Sequence, residues 1–184
     1  MNKAVLISIQ PKWCELIASG RKTIEVRKTK PKLQTPFKCY IYCTMAGHKG
    51  KYLHTSNKHG QLLFWDNPKD TSITVQPENY EYMAYTCRGK VIGEFLCDEI
   101  TSGFWIAPFT DYLQSQSCLS YDEVCDYANG KPIFSWHISN LKIYDKPKEL
   151  GDFYKPAVCG YTGLEPAARP PQSWCYVEFL DDEL

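Results

Sequence analysis

The sequence predicts an α+β fold in which a strongly curved or closed sheet carries a few short helices. Three observations predict it. Short apolar, β-branched runs bounded by Gly and Pro recur along the chain, which is strand patterning. Two segments carry helical spacing with start and stop signals. The resulting order is strand–helix–strand–strand–insertion–strand–helix–strand–strand, with no internal repeat and no low-complexity tract.

Val5–Gln10 is short, apolar and closed by Pro11, so it reads as a buried strand. Pro11 suits the first turn of the helix that follows, where its missing N–H costs nothing. Trp13, Leu16 and Ile17 recur at helical spacing, and Ser19-Gly20 ends the helix. Thr23–Arg27 alternates, placing Ile24 and Val26 on one face and Thr23, Glu25 and Arg27 on the other. Pro31–Pro36 is a turn region, and Lys38–Thr44 is a third strand. Residues 45–86 are rich in Gly, Asn and Pro and read as an irregular insertion, too long for an ordinary loop. Gly89–Ile100 reads as a strand. Ser120–Tyr127 is a helix, with Ser120 as cap and Glu123 completing a capping box, and Gly130 ends it. Phe134–Tyr144 reads as one long strand, Pro147–Leu150 as a turn and Ser173–Phe179 as the last strand. We read residues 1–184 as a single domain with the insertion at about 45–86.

The composition of the 184 residues, 43% hydrophobic and 14% aromatic, supports a real core. No apolar run approaches the roughly 18–20 residues of a membrane span, and the first ten residues do not form a signal peptide. The expected location is cytoplasmic, so the nine cysteines are expected to be reduced and to serve mostly as small apolar fillers. No Cys-x-x-Cys pair is present, and neither a metal nor a cofactor is expected. Lys+Arg and Asp+Glu both number 21, giving zero net charge. That zero conceals a split: residues 1–60 hold 12 basic residues and two acids, Glu15 and Glu25, and the remainder holds 9 basic and 19 acidic residues. Such asymmetry hints at a polyanion bound on one side, provided that the two populations stay apart in space.

The most informative segment is Gly20-Arg21-Lys22-Thr23-Ile24-Glu25-Val26-Arg27, of the form G-x-K-x-x-E-x-R between the first helix and the second strand. It resembles the signature of the ASCH family, a branch of the PUA-like superfamily. The Trp136-His137-Ile138 strand and the Pro170-Pro171-Gln172-Ser173-Trp174-Cys175 segment are similar to those of ASCH-type proteins of phage and prophage genomes. The resemblance implies a PUA-like curved β-barrel with flanking short helices, and an RNA- or nucleotide-binding role. In small bacterial ASCH relatives that resemble amidohydrolases of N4-acylated cytidine, the motif lysine is the base and a threonine three residues later is the nucleophile. Lys22 matches that lysine, but Glu25 stands where the threonine would be. The second-half glutamate of that branch has no match before Ser120, where the sequence reads Gln114-Ser115-Gln116-Ser117.

Read as chemistry, Glu25 and Arg27 share a strand face near Lys22, and a face with that many charges is costly to bury unpaired. It is either a self-satisfied surface ladder of little energetic weight or the polar floor of a cleft. In a cleft, Arg27 would fork onto phosphate, Glu25 would accept from a base amino group, and Lys22 would neutralise phosphate or act as a base. The family resemblance favours the cleft. Arg21, Ser8, Gln10, Trp13 and Trp174 are further candidate ligand contacts, with Tyr52 and Trp65 of the insertion after them; aromatics among basic residues suit stacking on unpaired bases. His137, on the face opposite Trp136, reads as structural.

Three functions remain. The first is an RNA- or nucleotide-binding module. The second is a hydrolase, amidohydrolase-like or ribonuclease-like, with Lys22 and Glu25 catalytic. The third is a phage-related adaptor that uses the insertion and the acidic second half to bind a protein.

Overall fold

The structure is a computed structural model that describes residues 3–45, 51–56, 62–67, 83–103, 109–156 and 163–178. The chain opens with strand β1 (Lys3–Ile9), helix α1 (Pro11–Ala18), β2 (Ile24–Arg27) and β3 (Phe37–Cys43). β4 (Lys51–Ser56), β5 (Leu62–Asn67) and β6 (Met83–Thr86) follow, then β7 (Val91–Cys97) and β8 (Ile100–Gly103). After helices α2 (Phe109–Ser117) and α3 (Tyr121–Ala128) come β9 (Ile133–His137) and β10 (Ser139–Lys148). A 3-10 turn at Leu150–Asp152, β11 (Tyr154–Pro156), β12 (Leu164–Pro166) and β13 (Trp174–Glu178) complete it.

Five strands form the main sheet in the order β10-β7-β3-β1-β13, with β1 and β3 parallel and the other pairs antiparallel. The central position of β1 explains its unbroken apolar run. Val5, Ile7 and Ile9 face one core and Ala4 and Leu6 the other, so a strand covered on both faces shows no alternation. A second sheet, β2-β9-β8, lies across the first core. Trp136 on β9 fills the space between the sheets with no exposed surface, edge-on to Phe37 at 5.9 Å and tilted on Trp174 at 6.0 Å. α2 and α3 cover the other face of the second sheet, where Leu113, Val124 and Ala128 pack on Ile24, Val26 and Ile133. The alternation read in Thr23–Arg27 is thereby realised, with the apolar side under the helices. Cys14, Cys39, Cys43, Cys87 and Cys97 are buried free thiols that act as core fillers; burial pushes those of Cys14, Cys39 and Cys87 up and that of Cys97 to about 12, so these four stay protonated.

Several expectations need correction. Among the described residues the ladders form separate sheets and do not close into a hydrogen-bonded barrel. The expected long strand 134–144 is two strands in different sheets. The break is at Ile138, which is buried and donates its N–H to Thr23 O at 2.9 Å, and Asn140 beyond it has φ 47°. Gly89–Ile100 likewise divides at Asp98-Glu99 into β7 and β8. Lys146-Pro147-Lys148 belongs to β10 rather than to a turn. Residues 45–86, read as irregular, contain the antiparallel sheet β5-β4-β6; apart from Met45, the remaining residues of that stretch lie outside the described ones. α2 has no strong sequence signal: Phe109–Ser117 is largely polar, and its fully buried described residues are Leu113 and the polar Ser117. α3 starts as read, with both halves of the Ser120/Glu123 capping box formed; its left-handed C-cap is Asn129 at φ 49°, one residue before the Gly130 read as its end.

Gly93 on β7 has a packing reason. A Cβ there would lie 2.5 Å from Lys142 O and 3.0 Å from Ile143 Cα of the neighbouring strand. Gly93→Ala is therefore expected to cost about 1–3 kcal/mol by forcing β7 and β10 apart. A urea titration checks this as a lower midpoint with an unchanged slope.

Candidate functional site

The motif segment folds as its residue types require. Gly20, at φ 72°, reverses the chain after α1 and donates its N–H to Ile17 O at 2.9 Å. The N–H of Lys22 then returns to Leu16 O at 2.9 Å, which tucks the lysine inward, so that it is 2% exposed. Its Nζ donates to the Ser117 carbonyl at the end of α2 at 2.8 Å and lies 3.3 Å from Glu25 Oε2, out of line for a hydrogen bond. On the other side, an Arg27 terminal nitrogen pairs with Glu25 Oε1 at 3.1 Å and donates to Ser8 O at 2.6 Å. One buried carboxylate thus serves two cations, and α1, β1, β2 and α2 all meet on it. The surface-ladder alternative does not fit this burial.

These residues line a cleft of about 870 Å³, within the range of small-molecule sites at roughly 300–1,000 Å³. Lys22, Glu25, Arg27, Ser8, Gln10 and Trp13 all border it. The Ser8 hydroxyl is spent on Pro171 O at 2.6 Å, so Ser8 shapes the wall rather than offering a free donor. Two ammonium groups lie near the Trp13 ring, Lys12 Nζ 4.3 Å and Lys22 Nζ 5.1 Å from its centroid. Arg21 and Trp174 are elsewhere. Arg21 is exposed and donates to Ser19 Oγ at 3.1 Å, and Trp174 packs on Trp136 and Tyr176 while its Nε1 donates to Thr29 Oγ1 at 3.0 Å. The side chains of Tyr52 and Trp65 lie outside the described ones. His137 pairs with Asp98 at 2.7 Å, away from the cleft.

Sequence reading missed the far wall. Tyr42 lies on β3 and Thr44 and Met45 just after it, and Glu123, Asp126 and Tyr127 come from α3. The α3 residues sit at i, i+3 and i+4, one helix face, but only the tertiary fold says what that face meets. Burial raises the Tyr127 hydroxyl above its usual value, with Arg27 opposing and Glu25 adding to the rise.

Two features set the chemistry. Three buried polar atoms of cleft-lining residues have no hydrogen-bond partner: Glu25 Oε2, Arg27 Nε and Thr44 Oγ1. Buried polar atoms are rarely left without a hydrogen bond, so these three are an unusual donor-and-acceptor set. The cleft cations are also already committed. Lys22 and Arg27 share Glu25, and Lys12 at the rim pairs with Glu123 at 3.6 Å; among the described residues Asp126 has no ion-pair partner. The basic and acidic thirds of the chain therefore mix at this site instead of standing apart. Among the described residues no three His, Cys, Asp or Glu side chains gather as a metal site, and no helix is long and apolar enough to cross a membrane.

The ASCH domain profile matches residues 7–148, most of the chain. The chain belongs to the ASCH family. The ASCH protein from Zymomonas mobilis has a similar crystal structure, at 16% identity and TM-score 0.51, covering 97% of this chain and 90% of that one. Two single-residue variants of it also match, one at TM-score 0.48 and 16% identity over 95% and 90% of the chains, the other at 0.47 and 17% over 96% and 89%. No curated protein matches. At these identities the likeness concerns the fold, and it agrees with an ASCH-like α+β arrangement. The ASCH match places the G-x-K-x-x-E-x-R segment inside the family region.

Proposed function

We propose that this ASCH domain is an RNA- or nucleotide-binding module that holds a single base in the cleft. The observation that carries the reading is the set Glu25 Oε2, Arg27 Nε and Thr44 Oγ1, none of them hydrogen-bonded, among residues that line the cleft with Trp13 and Tyr127. A nucleobase edge presents N–H donors and ring or carbonyl acceptors, which suit that mixed set, and its flat faces suit the aromatic walls. Glu25 takes an exocyclic or ring N–H, and Arg27 Nε donates to an acceptor on the same edge. The phosphate role first expected of Arg27 is weakened, because one terminal nitrogen already serves both Glu25 and Ser8 O and the charge is shared with Glu25.

Calorimetric titration of the four ribonucleosides into the protein tests this. At least one is expected to bind, and Glu25→Gln, which keeps the shape but removes the charged acceptor, is expected to weaken that binding about tenfold or more, the range for a charge-assisted hydrogen bond. Four flat titrations would sink the reading.

A hydrolase reading has one observation in its favour, the buried Lys22 ammonium 3.3 Å from the Glu25 carboxylate in a concave site. Such a pair can move a proton to or from a bound substrate. Turnover of acylated cytidine or of short RNA by the wild type, absent in Lys22→Ala, would support it; equal background in both would end it.

A further inference from the structure

Among the described residues the cleft cations Lys22 and Arg27 are both paired with Glu25, so an RNA ligand needs its phosphates met elsewhere. The segment between β2 and β3 offers a place. Lys28, Lys30 and Lys32 are exposed, and among the described residues none has an ion-pair partner. Their segment is nevertheless pinned at several points. Trp174 Nε1 donates to Thr29 Oγ1 at 3.0 Å, the Lys32 N–H donates to the Tyr176 hydroxyl at 2.8 Å, and Pro31 between them is buried. Lys28 Nζ stands 4.9 Å from the Tyr127 ring centroid and Lys30 Nζ 5.6 Å from that of Phe134.

Tyr127 connects this segment to the cleft. It borders the cleft together with Arg27, the residue before Lys28, and its ring carries the Lys28 ammonium 4.9 Å from its centroid. The basic segment therefore begins at the cleft wall and leads away from it, whereas the α3 side of the mouth carries the unpaired Asp126. A strand with one base in the cleft is repelled along α3 and attracted along residues 28–32. Holding the lysines on a fixed loop also lowers the ordering cost of binding.

Resting on the base-in-cleft reading, we infer that Lys28, Lys30 and Lys32 form a phosphate track for single-stranded RNA leaving the cleft. The work is divided: Glu25, Arg27 and Thr44 take the base edge, and the loop lysines take the backbone.

The experiment is the salt dependence of binding, measured by fluorescence anisotropy with a labelled single-stranded RNA 12-mer. Wild type is compared with the Lys28→Ala/Lys30→Ala/Lys32→Ala variant, and Lys146→Ala/Lys148→Ala on β10 serves as a control for general surface charge. Each phosphate contact contributes about 0.7 to the log–log slope for single strands, so the loop variant is expected to lose about 2 from it. The control is expected to lose much less, and melting temperatures confirm that each variant is folded. An unchanged slope in the loop variant, or an equal loss per lysine in the control, overturns the inference and leaves the base-in-cleft reading standing. The same holds if nucleosides bind and the 12-mer does not. If neither binds, both fall.

Discussion

Glu25→Ala is expected to destabilise the protein by roughly 3–5 kcal/mol, the cost of stranding buried charge without its counter-ion. The reason is the sharing of one carboxylate. Lys22, whose side chain is 2% exposed, and Arg27, at 11%, both face Glu25, and removing it leaves two nearly buried cations with a backbone carbonyl each. The reciprocal design makes the same point. Replacing all three at once, as Lys22→Met, Glu25→Leu and Arg27→Met, removes every charge together and is expected to recover most of the lost stability, because buried ion groups rarely stabilise relative to apolar side chains of similar volume. That triple variant is expected to fold and to bind no nucleoside. Denaturant titration and calorimetry on the same three proteins separate the two roles. If the triple variant is as unstable as Glu25→Ala, the triad is not the balanced unit described here.

Trp136→Ala is the second large effect, at roughly 3–5 kcal/mol. Trp136 is fully buried where the two sheets face each other, and its neighbours Phe37 and Trp174 belong to other strands that cannot collapse into the vacated space. Its cross-strand partner in the ladder is Glu25, so the cavity opens beside the triad, and loss of ligand binding is expected to accompany loss of stability. Thermal unfolding checks the first and nucleoside titration the second. A variant within about 1 kcal/mol of wild type would mean that the sheets are not held together through this residue.

The parts legible in the sequence are those set by local chemistry. β1, α1, β2, β3, α3 and β13 were readable from apolar runs, Pro11, Gly20 and the Ser120/Glu123 box. The bend at Ile138 was not, because β-branched and aromatic patterning runs through it and only pairing to different sheets reveals the break. α2 was hidden because one buried leucine makes no periodic stripe. In the site, the strand period alone put Glu25 and Arg27 together, and the helix-ending glycine brought Lys22 near. Placing α3 opposite them needed the tertiary fold, so Glu123, Asp126 and Tyr127 went unread, and with them the neutralisation of the cleft's positive charge. Trp174 was singled out for the cleft, yet it braces the loop that carries Lys28 and Lys30.

A crystal structure of the protein soaked with the tightest-binding ribonucleoside tests the central claim most directly. The predicted result is a base in the cleft against Trp13 and Tyr127, with an N–H of its edge within hydrogen-bond distance of Glu25 Oε2 and an acceptor facing Arg27 Nε. A nucleoside bound away from the cleft, with those atoms still unpartnered, would contradict it.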